Sequence, residues 1–219
     1  LTMSNVSPHL ILLEALIFLP IVFIHLAKKN AAAIWLYVIQ SIAVSALLLI
    51  SSFDKISLLL LISFVATVLV KGFGAPWFFF RLIKQHHLQF SASTHLNTPI
   101  TLFAIAAILY LNLSMFSKVF ATISAANLDL LLISSAGIFI SLFILVNRRG
   151  VLSQMIGILS LENCIVSFAI FAGLEQNPGL QLGIIFDILI WIIIANVFAS
   201  MIYNHFGSLD VTEMKKLTE

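Results

Sequence analysis

Seven times along this chain the polar residues give way to a nearly continuous apolar run, at 9–27, 31–52, 56–80, 98–117, 125–146, 151–173 and 180–204. Each is close to the roughly 20 residues that an α-helix needs to cross about 30 Å of hydrocarbon. A spanning segment must satisfy its own backbone, which leaves helices or closed barrels, and runs of this length without alternation are helical. The expectation is an all-α, polytopic membrane protein of about seven transmembrane helices joined by short loops. Composition agrees: 61% of residues are hydrophobic and 9% charged, where a soluble domain carries about a quarter charged. In 219 residues no separate soluble domain fits.

The opening segment LTMSNVSPHL lacks the basic start of a secretory signal, so the first run is expected to be a retained helix. A net charge of +2 from eleven basic and nine acidic residues provides no basic stripe for phosphate neutralisation, which excludes nucleic acid as a partner. Cys164 is the single cysteine, excluding an internal disulfide and a cysteine-based metal site.

The basic residues fall in alternate loops. Lys28 and Lys29 follow the first run, Arg81 and Lys84 the third, Arg148 and Arg149 the fifth, and Lys215 and Lys216 the seventh, while the intervening loops hold only Lys55 and Lys118. The positive-inside rule then puts the amino terminus outside and the carboxyl terminus in the cytoplasm. The longest loop, from Arg81 to Asn97, is expected to be a solvated linker or an amphipathic segment along the membrane surface.

Ionisable residues inside a bilayer are rare and mark function. Glu162 lies halfway along the sixth run, Asp187 a third of the way into the seventh, Lys71 just inward of the middle of the third, and Glu14 in the outer half of the first. At 1.5 Å per residue Glu162 falls about 16 Å and Asp187 about 10 Å below the outer surface, spacing suited to a proton relay through one or two waters. Asp129 reads as a helix-start residue favourable to the dipole. In the sixth run Ser153, Gly157, Ser160, Cys164 and Ser167 make one face of small residues for close helix approach. Glu162 points off that face, and Asn163 flanks it, placed to brace a neighbouring helix. Lys71 opens KGFGAPWFFF, where Gly72, Gly74 and Pro76 are expected to break the helix, since proline removes a donor and disturbs the carbonyl of Gly72. Such a break calls for protein or water to satisfy the freed groups, hence an expected hydrated pocket beside Lys71.

Plainer readings stand beside these. Lys71 can snorkel towards headgroups, Glu14 is shallow enough to meet outer water, and Glu162 and Asp187 can be structural hydrogen-bonding groups. The six histidines show no ligand spacing and read as surface residues. Trp35, Trp77, Tyr110 and Tyr203 read as interfacial anchors and Trp191 as packing. No nucleotide-binding loop or nucleophile motif of the recognised kinds is present, and no cofactor or metal site is expected in the chain.

The stretch NRRGVLSQMIGILSLENCIVSFAIFAG, followed by GIIFDILIWIIIANVF, resembles the small three-helix subunit of complex I and of multi-subunit cation/proton antiporters, with its basic pair, Gly-containing helix, embedded glutamate and acid in the next helix. Glu162 follows Gly157 by five positions, further than in the complex I subunit. The whole chain resembles the component E family of energy-converting hydrogenases, through Leu161-Glu162-Asn163, Phe186-Asp187, and Lys71 with Pro76. That resemblance implies a four-helix region at 1–124, a three-helix unit at 125–207 and a cytoplasmic tail at 208–219. It also implies a non-catalytic membrane-arm subunit of a bacterial or archaeal cytoplasmic membrane, beside large antiporter-like subunits and a peripheral redox arm. Glu162, Asp187, Lys71 and Glu14 would form the proton or sodium path, and Gly157, Ser160 and Asn163 would pack against a sister helix.

Two other classes compete. An independent secondary transporter also places acids and a broken helix near the midplane, but predicts an internal repeat, and none is evident between the first three and last three runs. A structural scaffold would use the buried charges for assembly alone.

Overall fold

The structure, a computed structural model, describes residues 7–51, 64, 65, 67–86 and 94–173, with 182, 186, 189, 193, 196, 197 and 200 from the carboxyl-terminal stretch. Among these residues the regular structure is helical: α1 (Pro8–Leu26), α2 (Asn30–Ser51), a π-helical turn (Val68–Gly74) continuing into α3 (Ala75–His86), α4 (Thr98–Ile123), α5 (Leu128–Asn147) and α6 (Val151–Phe171). Five of them, α1, α2, α4, α5 and α6, are long and apolar enough to cross a membrane. The third run is described only in part and the seventh only at isolated positions.

Most boundaries fall within a few residues of the apolar runs, with two corrections. α4 does not stop at 117 but continues to Ile123, because the exposed Lys118 can leave its stem on the helix and hold its charge in water. Tyr110 therefore sits near the middle of α4, 71% exposed, and not at a span end. The expected linker after Arg81 begins as helix, since α3 extends to His86. Local signals explain the ends: Asn97 accepts a hydrogen bond from the Ile100 amide at 3.1 Å with proline in the first turn of α4, a standard N-cap, and Asp129 lies in the first turn of α5.

In lipid, apolar burial does not drive helices together, so close packing and interhelical hydrogen bonds must. α5 and α6 form the most extensive contact; α1 lies on α2 and α5, α2 on α6, α4 on α5, and the π turn and α3 on α2. The α5–α6 approach depends on glycine. A Cβ at Gly157 would fall 2.9 Å from Ile144 Cγ2, and one at Gly137 2.9 Å from Cys164 Sγ. α4 is tied to α5 by polar bonds, Asn112 Nδ2 donating to the Leu132 carbonyl at 2.7 Å and Ser135 Oγ to Asn112 Oδ1 at 3.0 Å. Its other side, including Phe103 and Met115, is exposed, as a lipid-facing surface would be.

The basic loops meet at one end of the bundle. Arg148, between α5 and α6, donates through Nη2 to the carbonyls of Ile24, His25 and Ala27 at 2.6, 2.8 and 3.0 Å, capping the carbonyl end of α1 as cations favour. Burial pushes its guanidinium down from its ordinary value, and the three acceptors replace lost hydration. His25 returns the contact, its Nε2 3.1 Å from the Ile140 carbonyl and its ring stacked 5.0 Å from Phe143. His25 is thus buried, contrary to a surface reading, while His9 and His95 are exposed. The segment before α4 joins the same end, Thr94 pairing with Arg148 and the amides of His95 and Leu96 donating to Asn147 at 2.9 Å each. At the opposite end Asn127 Nδ2 donates to the Phe171 carbonyl at 3.3 Å.

Gly157→Val is expected to force α5 and α6 apart and to cost about 1–3 kcal/mol, the usual effect of overpacking. A lower unfolding midpoint in mild detergent measures it, and an unchanged midpoint contradicts the packing described.

Candidate functional site: a buried lysine–glutamate pair

The site begins with a helix defect. Pro76 has no N–H to offer, and just before it the hydrogen-bond ladder lengthens its step, the Ala75 amide reaching back five residues to the Val70 carbonyl. This widened turn, a device found often at functional sites, contains Lys71, Gly72 and Gly74 and ends two residues before Pro76. It presents Lys71 to the protein interior, where the lysine is 2% exposed.

There Lys71 Nζ lies 3.0 Å from Glu162 Oε1 and donates to Asn163 Oδ1 at 3.0 Å. Glu162 stands about 16 Å from the start of α6 and about 14 Å from its end by helical rise, so the pair lies about midway along that helix. Lys71 does not snorkel out, because a counter-charge and an amide oxygen meet it where it is. Glu162 is 20% exposed and off the small-residue face, which packs inward through buried Ser153, Gly157, Ser160, Cys164 and Ser167.

The ammonium sets the direction of the surrounding hydrogen bonds. Lysine only donates, so Asn163 must turn its oxygen to Lys71 and its Nδ2 to α2, where it donates to Ser41 Oγ at 3.1 Å and Gln40 Oε1 at 3.4 Å. Gln40 then points its own Nε2 back to α6, at 3.5 Å from the Ser160 carbonyl and 3.7 Å from Cys164 Sγ. Tyr37 is fully buried and edge-on to Phe79 at 6.3 Å. Three segments of chain are thereby locked around one charge.

Glu14 occupies a second position along the same helix. It is 1% exposed and accepts a hydrogen bond on Oε2 from Ser167 Oγ, one turn beyond Asn163; its Oε1 has no hydrogen-bond partner among the described residues. The expectation of contact with outer water is corrected here: α1 lies against α6, and the small Ser167 leaves room for the carboxyl. Cys164 lies between the two positions, with Gln40 on one side and Ser141 Oγ at 4.0 Å on the other. Carboxyl, hydroxyl and ammonium groups are able to hand on protons. The Asn163 and Gln40 amides between them instead fix orientation.

Of the residues singled out in the sequence, Lys71, Glu162 and Asn163 come together, with Ser160 contributing its backbone carbonyl. Gly157 serves the α5–α6 contact, and Gly72, Gly74 and Pro76 belong to the helix defect. Glu14 is one turn removed. Asp187, Trp191, Tyr203 and His205 lie outside the described residues, as do the expected carboxyl pairing of Glu162 with Asp187 and the LEQNPG turn. A cavity beside the defect is walled mainly by apolar residues, among them Trp35, Ile42, Phe73 and Trp77, and Lys71 is not part of its lining. Gln40 was missed, although a lone amide within an apolar run is itself a signal. Among the described residues no three His, Cys, Asp or Glu side chains gather as a metal site would require. Comparison with family models, curated proteins and solved structures finds no match to this chain.

Lys71→Met strands the Glu162 charge and Glu162→Met strands the ammonium, so each single change is expected to destabilise by about 3–5 kcal/mol. The double change should recover most of that loss in a thermodynamic cycle followed by unfolding in detergent. Additive losses contradict a direct pairing.

Proposed function

We propose that the chain is a non-catalytic membrane-arm subunit of an energy-converting, complex I-like oxidoreductase of the hydrogenase type, contributing a charge-switching element to proton or sodium translocation. In this reading it crosses a bacterial or archaeal cytoplasmic membrane about seven times, amino terminus outside and carboxyl terminus inside, beside large antiporter-like subunits and a peripheral redox arm. The observation that carries the proposal is the Lys71–Glu162 pair at mid-membrane, held by Asn163. Buried ion pairs add little stability over apolar replacements, and ionisable groups at that depth are kept chiefly for ion pathways. The gathering of Arg148, Lys28 and Lys29 at one end of the bundle supports the orientation.

The switch would work through one proton. With Glu162 ionised, Lys71 is balanced; a proton arriving on Glu162 removes the attraction while Asn163 still holds the ammonium. The uncompensated lysine charge then acts on whatever titratable group comes near it, in this chain or a sister subunit. Glu14, and Asp187 in the seventh run, would be further stations of the path.

Affinity purification of the tagged chain in gentle detergent should recover large antiporter-like subunits and a metal-containing soluble arm. In membrane vesicles containing that complex, Glu162→Gln should leave assembly intact and reduce ion movement per turnover by about tenfold or more, a floor below the ~10²–10⁴-fold that a positioned proton-transferring group typically contributes. Lost assembly with Glu162→Gln favours a scaffold role, and recovery of the chain alone favours an independent transporter.

A further inference from the structure

Between α2 and the helix defect runs a groove of about 730 Å³ bounded by Trp35, Ser41, Leu49, Phe64, Gly72 and Trp77 among others. Its walls are apolar apart from the hydroxyls of Ser41 and Ser45. From Trp35 to Leu49 it follows α2 for about 21 Å at helical rise, more than the roughly 15 Å of one hydrocarbon leaflet and comparable with an extended fatty acyl chain. Its mouth differs from its body. Trp35 and Trp77 stand there 59% and 60% exposed, as interfacial aromatics do, and the Arg81 guanidinium lies over the Trp77 ring at 5.6 Å.

Among the described residues the charge at this mouth has one sign. Lys84 follows Arg81 by three residues on the same helical face, and Lys28 and Lys29 precede α2; all four are exposed. Among the described residues the carboxylates are elsewhere: Glu162 is midway along α6, Asp129 is in the first turn of α5 and Glu14 is in the half of α1 away from this end. An apolar slot of acyl-chain length, opening between tryptophans beneath unbalanced arginine and lysine, matches a lipid with an anionic headgroup.

We propose that this groove is a specific site for an anionic phospholipid, one acyl chain lying along α2 and the phosphate paired with Arg81 and Lys84. The inference rests on the groove and its charge, and does not depend on the coupling role. It has a consequence for the site all the same. Ser41 forms part of the groove wall and accepts the Asn163 hydrogen bond, so the bound chain packs directly behind the residue that holds Lys71.

Tryptophan quenching by lipids brominated on their acyl chains tests this in the full chain, with Trp191→Phe as background so that Trp35 and Trp77 report. Brominated phosphatidylglycerol should quench with about fivefold greater apparent affinity than brominated phosphatidylcholine, the effect of one basic side chain on an anionic headgroup. Arg81→Gln together with Lys84→Gln should abolish that preference, and Ala46→Phe, which fills the groove, should weaken quenching by both lipids. The two charge changes alter exposed side chains and carry the test alone if Ala46→Phe does not fold. Equal quenching by the two lipids, as annular lipid would give, overturns the proposal. So does absence of quenching, which would mean that protein fills the groove, or a preference that survives Arg81→Gln together with Lys84→Gln.

Discussion

An ammonium cannot rest at the centre of a membrane unless something there replaces the water it has lost, and the interior of this bundle is arranged around that requirement. Lys71 is met by the Glu162 carboxylate and the Asn163 amide oxygen. Once the oxygen of Asn163 is committed, the orientations of Asn163 and Gln40 follow from the inability of lysine to accept a hydrogen bond. α2, α6 and the turn before α3 are consequently registered against one another by polar bonds in a setting where apolar contact alone is nearly neutral. Even the helix defect belongs to this arrangement, because the widened turn ahead of Pro76 is where Lys71 enters the interior.

The remaining structure supports that centre from two directions. Along the α5–α6 face, glycine and serine bring the two helices close enough for Cys164 to touch the place where a Gly137 Cβ would be. At the basic end, Arg148 and His25 bind α1 and α5 reciprocally through backbone carbonyls. α1 is thereby held along the bundle in a way that sets Glu14 against Ser167. The carboxyl of Glu14 and the pair at Lys71 share α6 but are separated by amides, which hold geometry without passing protons. Any exchange between the two positions thus depends on motion or water.

Much of this was readable from the sequence, and the failures have a common cause. Five of the apolar runs as long helices, the small-residue face of α6 and the meeting of Asn163 with a neighbouring segment were legible because a charge, an amide or a glycine in an apolar run has few innocent explanations. Pairing with Lys71 was not legible, because Lys71 and Glu162 are far apart in the chain and short-range reasoning considered Glu162 only against Asp187, which lies outside the described residues. Depth along a helix also misled for Glu14 and His25, since distance from a helix end says nothing about which neighbour covers a side chain. α4 ran past Lys118 for a related reason, a long side chain being able to carry its charge out of the apolar layer.

The central claim is that the buried pair exists for ion movement and not for holding the helices together. Lys71→Met combined with Glu162→Met separates the two, because a neutral, apolar pair of similar volume removes the charge without stranding either partner. Measured in membrane vesicles of the complex proposed for this chain, ion translocation per turnover should fall by about tenfold or more, as loss of a proton-transferring group does, while assembly and electron transfer in that proposed complex persist. Translocation at the unaltered level in an assembled double variant would contradict the account.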